Sequence, residues 1–223
     1  MLVRWAESIG EHASNISGGL CMRKESIQVN LYSQHFLKPS FDFRKASDTA
    51  YMDMARHTLH LDSTKSDKQK VRDNVTDYLE RQIEQLLTVM DEEAFDCWHA
   101  QTCDGMLNCY KEIKGHFNYG QAQKWLNLLI KYLYVYDVPV LTETVRDEKM
   151  VEWFHVPIDN HVISLAWRNF NLVRPSVAWS KMPKDVYQRY QSDLRKIIRN
   201  VKDVDSADER IPFYWELINW GKR

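Results

Sequence analysis

Two short segments hold the residues whose types and spacing suit covalent chemistry. Apolar residues recur at helical spacing from Gln121 to Tyr136, so Lys124, Asn127 and Lys131 are predicted on one face of that helix. A lysine amine becomes a nucleophile once it loses its proton. Asp159 stands at a predicted helix start, where backbone N–H groups stabilise a carboxylate. Taken singly, these are a solvated lysine and a helix cap; together they indicate a nucleophile with a carboxylate.

Helices are expected to position both groups, because no strand-like alternation persists along the chain. The fold class predicted is mainly α: a single helical domain over residues 1–223, built as a compact bundle of two packed halves around a central cleft. A turn at 115–120, with glycine at both ends, predicts a helical hairpin. The predicted helices cover residues 67–90, 104–114, 121–136, about ten residues after 159, 184–201 and 211–220.

Charge divides the chain unevenly. Residues 1–110 hold 12 Lys and Arg against 17 Asp and Glu, while residues 111–223 hold 18 against 14. Residues 1–103 are therefore an acidic N-terminal half, and residues 104–223 carry the hairpin, the Asp159 segment and a basic C-terminal half. Nine basic residues and two acidic ones lie between Arg168 and Lys202. This segment is either a solvated helix face or a polyanion-binding surface.

Composition favours a folded cytoplasmic protein. The chain is 44% hydrophobic and 27% charged, with 7 Gly and 6 Pro. Neither a signal peptide nor a membrane-spanning run is recognisable, so we expect no membrane association. The four cysteines contain no close pair, which favours reduced thiols over a zinc site formed by Cys97, Cys103 and Cys109 with His99. No cofactor and no metal are expected, and a monomer is the predicted state.

The hairpin and the Asp159 segment together resemble the helix-hairpin-helix DNA glycosylases. In that superfamily a hairpin precedes a helix with the catalytic lysine, and an aspartate follows in a Pro-Val-Asp-x-x-Val type motif. Here the second motif reads Pro-Ile-Asp-Asn-His-Val over residues 157–162, and the hairpin enters the helix as Tyr-Gly-Gln-Ala-Gln-Lys over residues 119–124. The resemblance covers residues 104–170, and its spacing is nearest to the archaeal 8-oxoguanine DNA glycosylase branch.

The resemblance implies an enzyme that cleaves an N-glycosidic bond in duplex DNA with an extrahelical base. Lys124 would attack the deoxyribose C1′ and form a Schiff base, which permits strand scission at the abasic site, and Lys131 is the reserve nucleophile. Asp159 would stabilise the positive charge that develops on the sugar. The excised base is a damaged or otherwise modified one, in repair or in defence against foreign DNA.

The remaining site residues follow from their position beside these two motifs. Residues with aromatic faces or polar edges are candidates for the base pocket: Gln121, Gln123, Trp153, Phe154 and His155. Backbone amides of the hairpin and basic side chains beyond it are candidates for DNA phosphate contacts: Asn118, Tyr119, Gly120, Arg168 and Arg174.

Three other functions remain open from the sequence. A non-catalytic helical DNA-binding protein would bind without releasing a base. A metal-dependent hydrolase would use His155, Asp159 and His161, and a chelator would inhibit it. A helical protein-interaction module would use the aromatic and methionine residues for packing alone.

Overall fold

The computed structural model describes residues 42–136, 138–142, 148–202 and 207–220 of the chain. Within these residues the protein is mainly α-helical and contains no strand, as the fold class predicted. One isolated bridge joins Leu61 to Gly115. Seven helices of nine residues or more make up the described fold: α1 Phe43–Ala55, α2 Lys65–Glu84, α3 Glu92–Cys109, α4 Tyr119–Val135, α5 Asn160–Phe170, α6 Lys184–Arg199 and α7 Pro212–Trp220.

Helix α4 lies at the centre of the described residues. It packs against α1 and α3 along its length, and against α6 and the short 3-10 segment Trp179–Lys181. Every residue of α4 from Tyr119 to Val135 is buried. The sequence predicts an apolar stripe toward the core and a polar face opposite it. The structure shows instead that neighbouring helices cover the polar face too.

Most predicted helices are found close to their predicted bounds. The helix predicted over 67–90 is α2, Lys65–Glu84, continued by the 3-10 turn Gln85–Thr88. Helices α2 and α5 each begin after a capping residue, Thr64 and Asp159 respectively. The side chain of each cap accepts a hydrogen bond from a backbone N–H in the first turn of its helix. Helices α4, α5, α6 and α7 likewise match the predicted segments, with ends that differ by one or two residues.

Helix α3 differs from its prediction. The sequence predicts residues 104–114, whereas α3 spans Glu92–Cys109. Asp91 caps the start by accepting from the Ala94 N–H, and two glutamates in the first turn complement the helix dipole. Gly115 lies beyond the helix, with a φ of +127° and with His60 O only 2.7 Å from where a Cβ would stand. Glycine there belongs to the connection between α3 and α4.

One prediction about the whole chain reaches beyond the described residues. The acidic N-terminal half includes residues 1–41, which lie outside the description. All seven helices belong to the unit Pro39–Arg223. None of the described helices has the length and apolar character needed to cross a membrane.

Candidate active site

Lys124 and Asp159, 35 positions apart in the sequence, meet in the structure. Lys124 is in the first two turns of α4, and its Nζ lies 3.2 Å from Oδ2 of Asp159. The two side chains are 11% and 21% exposed, so the ion pair is mostly covered and still reaches solvent. An amine and a carboxylate in this arrangement can exchange a proton, and either can meet a molecule from outside.

The carboxylate of Asp159 has separate partners for its two oxygens. Oδ1 accepts hydrogen bonds from the backbone N–H groups of His161, at 2.9 Å, and Val162, at 3.0 Å. Oδ2 faces Lys124. The N-terminus of α5 therefore fixes the orientation of the carboxylate, which leaves the second oxygen for the amine.

An indole ring covers another side of the amine. The Nζ of Lys124 lies 4.5 Å from the centroid of the Trp179 ring, a cation–π distance. The segment with Trp179 is held against α4, because the Gly120 N–H donates to Met182 O at 3.0 Å. A Cβ at residue 120 would stand 1.8 Å from Trp179 O, so only glycine admits this contact.

Gln123 joins the lysine helix to the aspartate segment. Its Nε2 donates to Ile158 O at 2.8 Å, and its Oε1 accepts from Ile158 N at 3.2 Å, so one carboxamide pairs with the peptide next to Asp159. Gln121 is also engaged, accepting from Asn118 N and donating to Thr58 O. The sequence predicts both glutamines in a base pocket. Both are buried anchors instead, because their carboxamides hold backbone groups of the protein.

The aromatic candidates for a base pocket also lie in the interior. Phe154 is fully buried beside Phe95 and Phe213, so it belongs to the core. His155 is buried between Asp96 and Tyr187, with its Nε2 2.7 Å from Asp96 Oδ1. Trp153 is half-buried, and its carbonyl accepts from Arg195. These positions correct the pocket predicted for Phe154 and His155, since core packing uses their faces and edges.

Two of the hairpin amides that the phosphate prediction requires already donate hydrogen bonds inside the protein. The Asn118 N–H donates to Oε1 of Gln121 at 2.9 Å, and the Gly120 N–H donates to Met182 O. Tyr119 is buried. The amides of Asn118 and Gly120 thus already have acceptors inside the protein, which corrects their predicted role.

Arg168 and Arg174 fit the phosphate prediction better. Both are exposed and form no ion pair with any described residue, and the Arg174 guanidinium lies over the Trp167 ring at 5.8 Å. Other basic residues of the same segment have acidic partners: Lys184 pairs with Asp104, and Arg199 pairs with Glu92. The segment is therefore part solvated cation surface and part internal ion pairs.

Lys131, the reserve nucleophile, is unsuited to that role. Its Nζ lies 2.9 Å and 3.1 Å from the two carboxylate oxygens of Glu216, and both side chains are buried. The Trp220 ring covers it at 4.2 Å. A substrate would have to break into the protein to reach this amine.

Sequence reasoning missed a chain of buried polar groups between the two lysines. Asn127 Nδ2 donates to the Tyr187 hydroxyl at 3.0 Å, and Asn127 Oδ1 lies 2.9 Å from His99 Nε2. The Tyr187 hydroxyl lies 2.8 Å from His155 Nδ1, which continues the chain to Asp96. A polar residue within a strongly apolar helix was the available signal, since Asn127 must find partners when the helix is buried.

No metal site is found among the residues that the structure describes. Cys97 is exposed, Cys103 is buried with its Sγ 3.9 Å from His99 Nδ1, and Cys109 is half-buried. The proposed hydrolase ligands have separate partners: His155 contacts Asp96, whereas Asp159 contacts Lys124. The described residues thus give the metal-dependent hydrolase no ligand set.

Comparisons with known proteins add no family assignment. No family model matches the chain, and no match was found among curated proteins or solved structures. The resemblance to the helix-hairpin-helix DNA glycosylases consequently rests on the sequence of residues 104–170.

Proposed function

We propose that this protein is a DNA glycosylase with associated lyase activity, which excises a damaged or otherwise modified base. The observation that carries the proposal is the partly exposed Lys124 amine, 3.2 Å from a carboxylate at the start of a helix. Two segments far apart in the sequence were each expected to supply one of these groups. Their contact is what a reaction through an amine and a carboxylate needs.

Each residue has a defined part in the proposed reaction. Asp159 Oδ2 takes the proton that the Lys124 ammonium must lose and passes it to solvent, so the carboxylate is again an anion when the neutral amine attacks C1′ of the deoxyribose. The N-glycosidic bond breaks, and the base leaves with the bonding electrons and gains a proton. The sugar ring opens to a Schiff base on Nζ, and loss of a proton from C2′ then expels the 3′ phosphate.

The electrostatics of the pair suit the charge that develops on the sugar. The transition state resembles an oxocarbenium ion, so a nearby anion lowers its energy. Two backbone N–H groups hold Asp159 Oδ1 in place before the reaction. The carboxylate therefore needs little reorganisation as positive charge forms.

The DNA backbone has a candidate contact on the same helix. Arg168 is in the last turn of α5, while Asp159 caps its first, so about 14 Å of helix separates them along the axis. Arg174 follows in the next loop, exposed and without an acidic partner among the described residues. These cations would bind phosphates beside the nucleotide that enters the site. The two packed halves, the monomeric state and the cytoplasmic location belong to this proposal as well.

Borohydride trapping tests the chemistry. The full chain is incubated with duplexes that carry an abasic site or one of a panel of modified bases, and a covalent adduct is expected on the abasic duplex and on at least one modified base. Lys124→Ala should abolish the adduct, and Asp159→Asn should slow its formation by orders of magnitude. Lys181→Ala is the matched control, because that lysine is exposed beside the site and should be dispensable.

Three outcomes would overturn the proposal. An adduct that persists in Lys124→Ala would show that another amine is trapped. No adduct and no base release on any duplex, with DNA still bound, would favour the non-catalytic DNA-binding protein. A protein that neither reacts with DNA nor binds it would favour the protein-interaction module.

A further inference from the structure

Exposed apolar side chains are concentrated in one short stretch of the chain. Five large apolar residues are exposed in the part of the protein that the structure describes, and three of them lie within residues 167–177: Trp167 (43% exposed), Val173 (74%) and Val177 (38%). The stretch comprises the last turn of α5 and the loop that follows it. Isolated apolar residues are common on protein surfaces, but a group of them indicates a surface that contacts another molecule.

A groove lies beside this stretch, between the loop after α5 and one face of α6. We call it the α5–α6 groove. Its volume is about 430 Å³, within the range of about 300–1,000 Å³ that is typical of ligand sites. Trp167 lies one helical turn before Phe170, which lines the groove, so the indole is at the edge of the groove. Most of the lining is apolar: Phe170, Leu172, Val173, Val186 and Ile197.

The α5–α6 groove also has two arginines that are available to an anion. Arg174 and Arg189 both line it and are exposed, and neither forms an ion pair with a described residue. Asp193 is the one carboxylate among the lining residues, and it lies one turn after Arg189 on α6 without pairing with it. The groove thus combines apolar surface with a net positive charge, which suits an anionic partner that has apolar faces.

Arg174 lies between the exposed indole and the groove. Its guanidinium is 5.8 Å from the centroid of the Trp167 ring. Burial raises the pKa of Tyr190, in the groove lining, to about 12, and the positive charge of Arg174 opposes that rise. A flat ring, a cation and an apolar groove therefore follow one another across this surface. Bases and phosphates alternate in the same way along a single strand of nucleic acid.

An unpaired DNA strand fits this surface better than a duplex or a free anion does. In a duplex the faces of the bases are stacked on one another, so phosphates and base edges are what a protein meets. The arginines could bind those phosphates, but Trp167 and the groove would stay uncovered. An unpaired strand presents base faces beside its phosphates, and base faces stack on aromatic rings.

We propose that Trp167 and the α5–α6 groove bind an unpaired strand of DNA. One base stacks on Trp167 and the next enters the groove, while Arg174 and Arg189 bind phosphates and Asp193 accepts a hydrogen bond from a base N–H. The choice of DNA as the partner rests on the proposed function, whereas the binding needs neither Lys124 nor Asp159. The substrate would then be DNA that is locally unpaired beside the modified base.

Binding of three labelled oligomers to the full chain tests this surface, with affinities from fluorescence anisotropy at one salt concentration. The first is an oligothymidylate of about twelve nucleotides, within the usual site size for single strands. The second replaces every base by a tetrahydrofuran spacer, which keeps the phosphates and has no aldehyde for Lys124 to attack. The third is a blunt duplex of mixed sequence. We expect the oligothymidylate to bind at least fivefold more tightly than the spacer oligomer, because only the first has bases to stack.

Variants locate the binding on this surface. Trp167→Ala should weaken oligothymidylate binding at least fivefold and leave the other two affinities within twofold, whereas Trp167→Phe keeps a ring and should recover most of the loss. Val186→Gln makes the groove polar and should weaken only the oligothymidylate. Arg189→Gln should weaken the oligothymidylate and the spacer oligomer equally. Met52→Ala is the matched control, since Met52 is 54% exposed on α1 and all three affinities should stay within twofold.

Several results would overturn the proposal. Equal affinity for the oligothymidylate and the spacer oligomer, or equal affinity in the wild type and Trp167→Ala, would exclude base stacking at this surface. A duplex that binds as tightly as the oligothymidylate, with the same loss in Trp167→Ala, would exclude a preference for an unpaired strand. No binding of the oligothymidylate by the folded protein would assign the surface to a protein or membrane partner instead.

The test separates this surface from the lysine chemistry. Lys124→Ala should bind the oligothymidylate as the wild type does. A protein that forms a borohydride adduct but does not bind the oligothymidylate would retain the proposed reaction and lose this surface. A protein that binds through Trp167 but forms no adduct would retain the surface and lose the reaction.

Discussion

Lys124 and Lys131 lie two turns apart on α4, and each forms an ion pair with a carboxylate beneath a tryptophan ring. The Lys131 and Glu216 side chains are 0% and 3% exposed, whereas those of Lys124 and Asp159 are 11% and 21% exposed. The carboxylate of Asp159 also has two backbone N–H donors of its own.

This comparison teaches that residue type and helical spacing do not separate a candidate nucleophile from a structural lysine. Position along the helix separates them here. Lys124 is near the start of α4, beside the capped end of α5, while Lys131 is deeper and meets α7. Only the Lys124–Asp159 pair combines access to solvent with a carboxylate that backbone N–H groups hold in place.

The largest expected difference between the two pairs is in stability. Lys131→Met leaves Glu216 buried without its cation, so the free energy of unfolding should fall by about 3–5 kcal/mol. Lys124→Met should cost about 1 kcal/mol or less, because solvent reaches Asp159 and its N–H donors remain. Urea unfolding at neutral pH, followed by circular dichroism, measures both.

A double variant separates burial of charge from loss of packing. Lys131→Met with Glu216→Leu removes both charges and keeps the volume similar, so most of the lost stability should return. If the double variant is no more stable than Lys131→Met, packing rather than charge makes this pair important. If Lys124→Met is as damaging as Lys131→Met, the two pairs are both structural and the comparison fails.

The neutral histidines between the two lysines predict a smaller effect, seen in the pH dependence of stability. Burial keeps the pKa of His99 and His155 low in the folded protein, whereas an unfolded histidine titrates near about 6.5. The unfolded chain therefore binds more protons below that pH. The free energy of unfolding should fall as the pH drops from 7 to 5, by at most about 1.4 kcal/mol per pH unit for each such histidine.

Unfolding of the His99→Gln protein across this pH range checks the assignment. Its slope should be shallower than that of the wild type, because one buried titrating group is gone. His116→Gln alters an exposed histidine and should leave the slope unchanged. A wild-type stability that is constant between pH 7 and 5 would contradict neutral, buried histidines in the centre of the protein.

The smallest expected effect is on the salt dependence of DNA binding. It compares an arginine that has no acidic partner among the described residues, Arg174, with one that has such a partner, Arg199. Arg174→Gln should weaken DNA binding similarly for all sequences and reduce the slope of log K against log salt by about 1. Arg199→Gln should leave that slope unchanged, since Glu92 already neutralises this cation. Fluorescence anisotropy with a labelled duplex, titrated at several salt concentrations, gives both slopes. Equal slopes for the two variants would show that exposure does not identify the DNA contact.

Some failures of sequence reasoning have one physical cause. Phe154 and His155 have side chains suited to a base pocket. In the core, however, Phe154 packs against Phe95 and His155 forms a hydrogen bond with Asp96. Gln123 has the amide that a base would need, and it pairs with the Ile158 peptide instead. The type of a side chain shows which interactions it can form. Which partner it meets depends on residues distant in the sequence, so the sequence pattern around it does not reveal that partner.

The sequence by itself determined five of the seven described helices and the cap of α5, because periodicity, proline and capping side chains act over a few residues; it did not predict α1 and misplaced α3. It also identified Lys124 and Asp159 as the residues to examine. Only the tertiary structure decided that their side chains meet, that Lys131 is buried with Glu216, and that α4 is covered on all sides. These outcomes depend on contacts between residues 35 to 85 positions apart, which local pattern does not specify.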